Sequence, residues 1–544
     1  MSVVTPNISL RDLSYILPDG RRLLENLNES FGKELAALVG RNGVGKTMLA
    51  KLMAGLLLPS SGSVLRNGSV FYLDQMTDPS VFGTVADLAQ ISEVLNAVRR
   101  VEKGESNPQD FDLADGNWDA EERAGQELCA AGLDYLTPDT PTSRLSGGEC
   151  TRVALVGAFL SRADFLILDE PTNHLDVPNR RTLMAYLETW KKGLLVVSHD
   201  RELLGRMERV VELSSHGLKS YGGNYTFYRE SKEREHQADL SRLEHAKTER
   251  KCMKSELQAA VERQRHRAAQ GRKSAVNIGM PKVMLHAMRG SAEKTAGALQ
   301  KLKTEKVEAL ATAEKEAFLK AGVEDAVVLI PPACFVHATK VVLRVEGIVL
   351  PYGAYRSPID WTMTGPERAA IEGANGSGKT TLLRVLKGEI APLAGTCQVK
   401  VPYTTLDQFA GVDEMDEKRS SVDLLRSWDE NLDLREACTR LAQIGIAQER
   451  LKLPLGVLSG GERVKVMLLC AIHRKPSPQL LILDEPTNHL DLNSVESVEK
   501  LLNTYTGALI VVSHDIHLLE NIGVTRKIRL AEANRNTSTS AKSP

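Results

Sequence analysis

GRNGVGKT (Gly40–Thr47) and GANGSGKT (Gly373–Thr380) are one glycine-rich pattern written twice in a chain of 544 residues. Glycines at this spacing let successive backbone N–H groups turn toward one anion, and the lysine adds a charge within reach of it. Each copy follows a short apolar run, Glu34–Val39 or Arg368–Glu372, and opens an apolar helical pattern, Met48–Leu57 or Thr381–Leu386. Strand, glycine loop and helix in that order predict two phosphate-binding P-loops, each fed by a buried parallel strand.

Outward from these loops the duplication continues at domain scale. YLDQ (Tyr72–Gln75) returns as TLDQ (Thr405–Gln408), and LSGGE (Leu145–Glu149) as LSGGE (Leu458–Glu462). LILDEPTNHLD (Leu166–Asp176) returns unchanged at Leu481–Asp491, and VVSHD (Val196–Asp200) at Val511–Asp515. The order is the same in both halves, and Asp169 to His199 spans the same 30 residues as Asp484 to His514. One spacing differs: Gln75 to Ser146 covers 71 residues, Gln408 to Ser459 only 51. The surplus falls around Glu102–Asp119, whose Gly, Asn, Pro and Asp read as a surface loop rather than a binding arm.

The chemistry follows motif by motif. Gly40, Asn42, Gly43 and Gly45, with Gly373, Asn375, Gly376 and Gly378, are expected to cradle a triphosphate, with Thr381 beside the second loop. Lys46 and Lys379 reach for the outer phosphates, and Thr47 and Thr380 offer hydroxyls to Mg²⁺. Asp169 and Asp484 end apolar strands, where a carboxylate holds Mg²⁺ directly or through water. Glu170 and Glu485 follow them as acids placed to take a proton from an attacking water. His199 and His514 end the strands Leu194–Val197 and Leu509–Val512 and are expected near the terminal phosphate. Gln75 and Gln408 suit a contact to Mg²⁺ or water.

Composition removes several classes. A hydrophobic fraction of 42% with 26% charged residues is that of a globular chain. Lys+Arg of 69 against Asp+Glu of 70 argues against a polyanion partner for the chain as a whole. No apolar run approaches the ~18 to 20 residues of a membrane span, and MSVVTPNISLRDL lacks the layout of a secretory signal. The seven cysteines (129, 150, 252, 334, 397, 438, 470) form no CxxC, which fits a reducing cytoplasm better than a disulfide or zinc framework.

Gly373 stands 174 positions after His199, far more than two cassettes require. After YGGNYTFY (Tyr221–Tyr228) the chain from Arg229 to about Gln270 has neither proline nor glycine and reads as one long helix. Gln270–Lys282 is expected to break it, with helical composition resuming over Val283–Ala321, so two antiparallel helices of about 60 Å joined by a tip are predicted. Residues 250–290 hold ten Lys/Arg against Glu256 and Glu262, a local charge of +8 in a chain whose net is −1. Arg263, Arg265, Arg267, Arg272 and Lys273 are therefore candidates for phosphate-backbone contact, although few aromatics are interleaved for base stacking. The resulting domains are 1–228, the connector 229–335 with its basic tip near 263–282, 336–532, and a polar tail 533–544 expected to be disordered.

LSGGE decides the class, because a simple P-loop NTPase has no reason to carry it. The chain resembles the ABC ATPases, an α/β fold with a parallel-sheet core and a helical subdomain. In them Ser-Gly-Gly of one cassette closes over ATP held by the other. The resemblance implies that Ser459, Gly460 and Gly461 complete the site on Lys46, and Ser146, Gly147 and Gly148 the site on Lys379. It also implies an aromatic stacked on adenine: Tyr15 in the first copy, and Tyr352 or Tyr355 in the second. Both glutamates are present, so ATP hydrolysis is expected at both sites. Tandem cassettes, DEPTNHLD twice, YGGNY and a charged helical connector resemble the ABC-F family. That family implies a monomer in the cytoplasm that binds the ribosome at the tRNA exit site, with contacts to rRNA and tRNA. Its members act on stalled translation, some conferring antibiotic resistance. A transporter subunit or a DNA-repair ATPase fits less well: the first needs no basic hairpin, the second needs zinc-ligand cysteines or much longer coiled coils.

Overall fold

The computed structural model describes residues 7–74, 81–105, 107–173, 175–277, 301, 305–315, 335–407, 414–488 and 490–530. Gln75, Gln408, the part of the expected break past Asn277 and the tail 533–544 lie outside these residues. The chain divides into two compact units: Met1–Phe227 with Val327–Pro544, and Tyr228–Ala326. Both cassettes thus belong to one unit.

In the first cassette β1 (Asn7–Ile16), β2 (Arg22–Phe31) and β4 (Ser61–Asn67) form an antiparallel sheet. A second sheet takes the order β5-β6-β7-β3-β8-β9, from β3 (Leu35–Gly40), β5 (Val70–Leu73), β6 (Phe165–Asp169), β7 (Gly193–Val197), β8 (Arg209–Ser214) and β9 (Gly217–Tyr221). All but the last pairing are parallel. FLILD and GLLVV are buried at every position, the pattern of strands covered on both faces. Each such Leu, Ile or Val contributes about 1.5–3 kcal/mol by leaving water.

The second cassette repeats the plan. The strands β10 (Val341–Val349), β11 (Ile359–Thr364) and β13 (Ala394–Val399) form its antiparallel sheet. The parallel order is β14-β15-β16-β12-β17, from β12 (Arg368–Gly373), β14 (Tyr403–Leu406), β15 (Leu480–Asp484), β16 (Ala508–Val512) and β17 (Arg526–Leu530). Register pairs Leu38 and Asp169 with Val197, and Ile371 and Asp484 with Val512, so the chemistry-bearing loops leave one edge of each sheet together.

The glycine loops do start helices, at Lys46–Ala54 and Lys379–Leu386, two residues earlier than the apolar pattern suggested. Their caps, Gly45 at φ 107° and Gly378 at φ 110°, occupy a backbone region that side chains disfavour, so glycine is required there. The first helix stops at Ala54, short of the expected Leu57, because Gly55 turns left-handed and its N–H caps the last carbonyls.

Two expectations need correction. The extra residues of the first cassette are not a loop: Pro108–Ala114 is a helix, capped reciprocally by Asn107 and Asp110, and Asp110 also pairs with Arg100. Asn and Pro, which punctuate loops, are also the residues that begin helices. Nor does the connector helix end near Gln270. It runs from Tyr225 to Asn277, 53 residues and about 80 Å. A lone glycine costs a helix only about 1 kcal/mol relative to alanine, so Gly271 among strong helix formers does not stop it. Residues 305–315 are helical as well, and Arg250 pairs with Glu314 at 2.7 Å, which sets this segment beside the long helix. Arg263 is exposed; at 265, 267, 272 and 273 the helix backbone is described but the side chains of Arg265, Arg267, Arg272 and Lys273 are not.

Candidate nucleotide sites

At the end of β3 the Lys46 Nζ donates to the carbonyls of Gly40 at 2.8 Å and Arg41 at 3.2 Å. Lys379 does the same to Gly373 at 2.7 Å and Ala374 at 3.1 Å. The amines are thereby folded onto their own loops, and burial lowers the pKa of each.

Glu170 and Glu485 stand directly after their strands at φ 49° and 47°, a left-handed conformation unusual for glutamate. The Glu170 N–H donates to Val197 O at 2.8 Å and that of Glu485 to Val512 O at 2.9 Å, which holds the strained turn in place. Burial pushes the Glu485 carboxyl up to about 7, against the pull of Lys379. Burial likewise raises Glu170 well above the carboxylate range, opposed by Lys46. A carboxyl poised near neutrality is what a general base for water requires. His199 Nε2 lies 3.7 Å from Glu170, and His514 Nε2 3.4 Å from Glu485. Burial lowers the two imidazoles to about 3 and about 4, so both are neutral at pH 7.

The donor set fits ATP with Mg²⁺. Asp169 Oδ1, Glu485 Oε1 and both ring nitrogens of His199 are buried with no hydrogen-bond partner. Such atoms are costly unless a ligand, ion or water satisfies them. Thr47 and Asp169 at one site, with Thr380 and Asp484 at the other, are placed to hold the metal; Thr47 already bonds Asp169.

The two sites are lined differently. The cavity on Lys379, about 730 Å³, is bordered by Asn375, Gly376, Gly378, Thr380 and Thr381 and also by Ser146, Gly147 and Gly148 of the other cassette. The cavity on Lys46, about 440 Å³, is bordered by Asn42, Gly43, Gly45, Thr47, Asp169 and Glu170, all from its own cassette. Ser459, Gly460 and Gly461 do not line it. Tyr15 is half-buried against the core, and Leu17, Arg21 and Leu23 face this cavity instead. In the second cassette Tyr355 packs on the core, whereas Tyr352 is 65% exposed beside Gly353, which borders the Lys379 cavity.

Three sets of residues carry no signature that the motifs alone would expose. Asp491 accepts the Asn42 N–H at 2.9 Å, and Asp176 that of Asn375 at 3.2 Å, so the last acid of each DEPTNHLD touches the opposite P-loop. Their repetition was the available signal. Glu149 and Glu462 of LSGGE close capping boxes on Ser146 and Ser459, with Oε2 accepting from the serine hydroxyls at 2.6 Å and 2.8 Å. Arg201 of the first cassette pairs with Glu499 of the second at 2.6 Å, both buried.

Residues 24–173 and 357–488 match the ABC transporter family. The ATP-binding protein YdiF of Bacillus subtilis is 30% identical over 94% of this chain and 78% of its own. The ATP-binding protein Uup of Haemophilus influenzae is 28% identical over 90% and 73%. ATP-binding cassette sub-family F member 3 of mouse is 30% identical over 90% and 66%. Among solved structures, the archaeal ribosome recycling factor aABCE1, in complex with the stalk protein aP1, superposes with a TM-score of 0.58 at 18% identity. That superposition covers 94% of this chain and 86% of the other. It shows a shared tandem-cassette fold. Among the described residues no helix is long and apolar enough to cross a membrane. With paired P-loops, an acid after each DEPT strand and relatives of this kind, the chain belongs to the ABC-F family of ABC ATPases.

Proposed function

We propose that this chain binds the ribosome when its cassettes hold ATP, and that the connector then acts on translation, relieving stalled or drug-inhibited ribosomes. The observation that carries the reading is the +8 charge of residues 250–290, eight of whose ten Lys/Arg belong to a helix that runs unbroken from Tyr225 to Asn277. A concentrated positive charge along a helix is complementary to RNA phosphates, and each contact releases counterions. In this reading rRNA and tRNA at the exit site are the partners, and the cytoplasm is the compartment. The fold neighbours include a ribosome recycling factor and a ribosome-bound ABCE1, which is in keeping with it.

The nucleotide chemistry is proposed as crossed. Each site is completed by the other cassette's Ser-Gly-Gly, with Mg²⁺ held by Thr47, Asp169 and Gln75, or by Thr380, Asp484 and Gln408. Glu170 and Glu485 accept the proton of the attacking water, while His199 and His514, neutral at pH 7, orient the terminal phosphate. Bound Mg²⁺ neutralises charge on the phosphates. The cavity shared by Lys379 and Ser146–Gly148 supports the crossing. Cosedimentation with ribosomes, with and without a non-hydrolysable ATP analogue, tests the function. Retention only with the analogue is expected; equal recovery in both conditions would overturn nucleotide-gated binding.

A further inference from the structure

The acids that begin the two DEPT motifs are not held alike. Tyr72 on β5 pairs in register with Ile167 on β6, which sets its ring beside the strand that ends in Asp169. Its hydroxyl donates to Asp169 Oδ2 at 3.3 Å within the core. The ring is buried in the first cassette's core, and the Lys51 ammonium lies over it, 5.9 Å from the centroid, while pairing with Asp74 at 2.8 Å. Thr47 bonds the same carboxylate, yet Oδ1 has no hydrogen-bond partner although Asp169 is only 1% exposed. A buried carboxylate oxygen left bare is costly unless a ligand, ion or water satisfies it. In the second cassette β14 carries Thr405 in the register position of Tyr72, against Ile482. Among the described residues this shorter side chain makes no bond to Asp484, whose charged neighbours are Lys379, Lys387 and Asp407.

We infer that Tyr72 is a positioning residue of the Lys46 site that sets its choice of divalent cation: by occupying Oδ2 it leaves Asp169 a single oxygen to offer, a restriction the Lys379 site lacks. The phenol is a donor to a carboxylate and cannot itself replace the oxygen it covers as a strong ligand. A carboxylate limited to one oxygen suits Mg²⁺, which demands a tight octahedron and is content with single carboxylate oxygens and water. Ca²⁺ takes more oxygens in looser geometry, often both of one carboxylate, and gains less from such a group. Asp484, not pinned by a hydroxyl from the neighbouring strand, can offer both. The Lys46 site therefore prefers Mg²⁺ over Ca²⁺ more strongly than the Lys379 site does. This inference rests on the reading of Asp169 as a metal ligand.

The test is equilibrium binding of a fluorescent ATP analogue to the full chain carrying Lys379→Ala, so that the Lys46 site is read alone, in Mg²⁺, in Ca²⁺ and in chelator. Tyr72→Phe removes the hydroxyl and keeps the ring that packs on the core. It is expected to lower the ratio of Mg²⁺-supported to Ca²⁺-supported affinity about fivefold, as for loss of one hydrogen bond to a charged group, with affinity in chelator unchanged within about twofold. In the converse background, Lys46→Ala, the same substitution should leave the ratio at the Lys379 site where it was; an equal fall there overturns the assignment to one site. A ratio that Tyr72→Phe does not move, where Asp169→Asn abolishes the gain from Mg²⁺, overturns the inference and leaves Asp169 as a ligand. Asp169→Asn without effect on Mg²⁺-supported affinity overturns the ligand reading, and the inference with it. Equal losses in Mg²⁺, Ca²⁺ and chelator assign Tyr72 to packing and also overturn it.

Discussion

Arg201 Nη1 sits 2.6 Å from Glu499 Oε1, and both side chains are buried where the first cassette meets the second. Asn521 adds a hydrogen bond to the other carboxylate oxygen at 3.1 Å. The repeat places Ile516 where Arg201 stands and Met184 where Glu499 stands, so the pair exists on one side only. Removing one buried charge strands the other, at about 3–5 kcal/mol. Arg201→Ile or Glu499→Met alone should lower stability by that amount in denaturant titration. The double variant, which copies the opposite side, should recover most of the loss; a double variant as unstable as the sum of the singles would contradict a pairwise link.

Glu170→Gln together with Glu485→Gln should cut ATP hydrolysis by ~10² or more, the contribution of general-base catalysis. ATP binding should persist, because neither residue is needed to hold phosphate. Steady-state hydrolysis and equilibrium nucleotide binding on the same preparation check both halves, and turnover near the normal rate would remove these acids from the mechanism.

The same glutamates set a pH dependence of stability. Glu485, raised from 4.5 to about 7, keeps its proton in the folded chain where the unfolded chain has lost it, and Glu170 is shifted the same way. Their contribution is present below about pH 4.5 and is lost as pH rises through the folded values. His199 and His514, lowered to about 3 and 4 from 6.5, act oppositely: stability falls as pH drops below 6.5. Above pH 6.5 only the glutamates remain of these four. The melting temperature of the nucleotide-free chain should therefore decline from pH 6.5 to 8, and less steeply in the double Gln variant. Parallel curves for the two proteins would show that the carboxyls carry no such shift.

Ser459→Arg should impair nucleotide closure at the Lys46 site, about 400 residues away in sequence. Ser459 does not border that cavity in this structure, and the proposed crossing requires it to approach when ATP is held there. Photocrosslinking of nucleotide at each P-loop reads it; a loss confined to the Lys379 site would reverse the proposed crossing.

Replacing Arg263, Arg265, Arg267, Arg272 and Lys273 with Ala should weaken ribosome binding. The slope of log K against log salt should flatten by about 0.7–0.9 for each phosphate that is no longer neutralised. ATPase without ribosomes should stay within about twofold, since none of these residues belongs to a nucleotide-binding motif. Cosedimentation across a salt series measures both the affinity and its slope, and an unchanged slope would leave the basic run as ordinary solvated surface.

The motifs were legible because their chemistry is local: a glycine loop, an acid at a strand end and a histidine at the next strand end need only a few residues each. Relationships between distant segments were not. No spacing announces that Asp176 reaches Asn375, or that Arg201 finds Glu499, since these depend on how two cassettes meet. Residues of double meaning misled: Asn107 and Pro108 look like a loop and begin a helix, while Gly271 looks like a break and is absorbed. The left-handed backbone of Glu170 and Glu485 is invisible in their letters, because strain is stored by the surrounding sheet rather than by glutamate itself.

The capping boxes of LSGGE imply a competition. The hydroxyl and amide of Ser146 serve an anion of the chain itself, the Glu149 carboxylate at 2.6 Å, and Ser459 serves Glu462 in the same way. A phosphate arriving at either helix terminus under the proposed crossing therefore does not fill a vacancy; it displaces an incumbent. The driving force for closure is the difference between two anions competing for the same donors. That difference is open to adjustment at Glu149 and Glu462, residues that touch neither the metal nor the water.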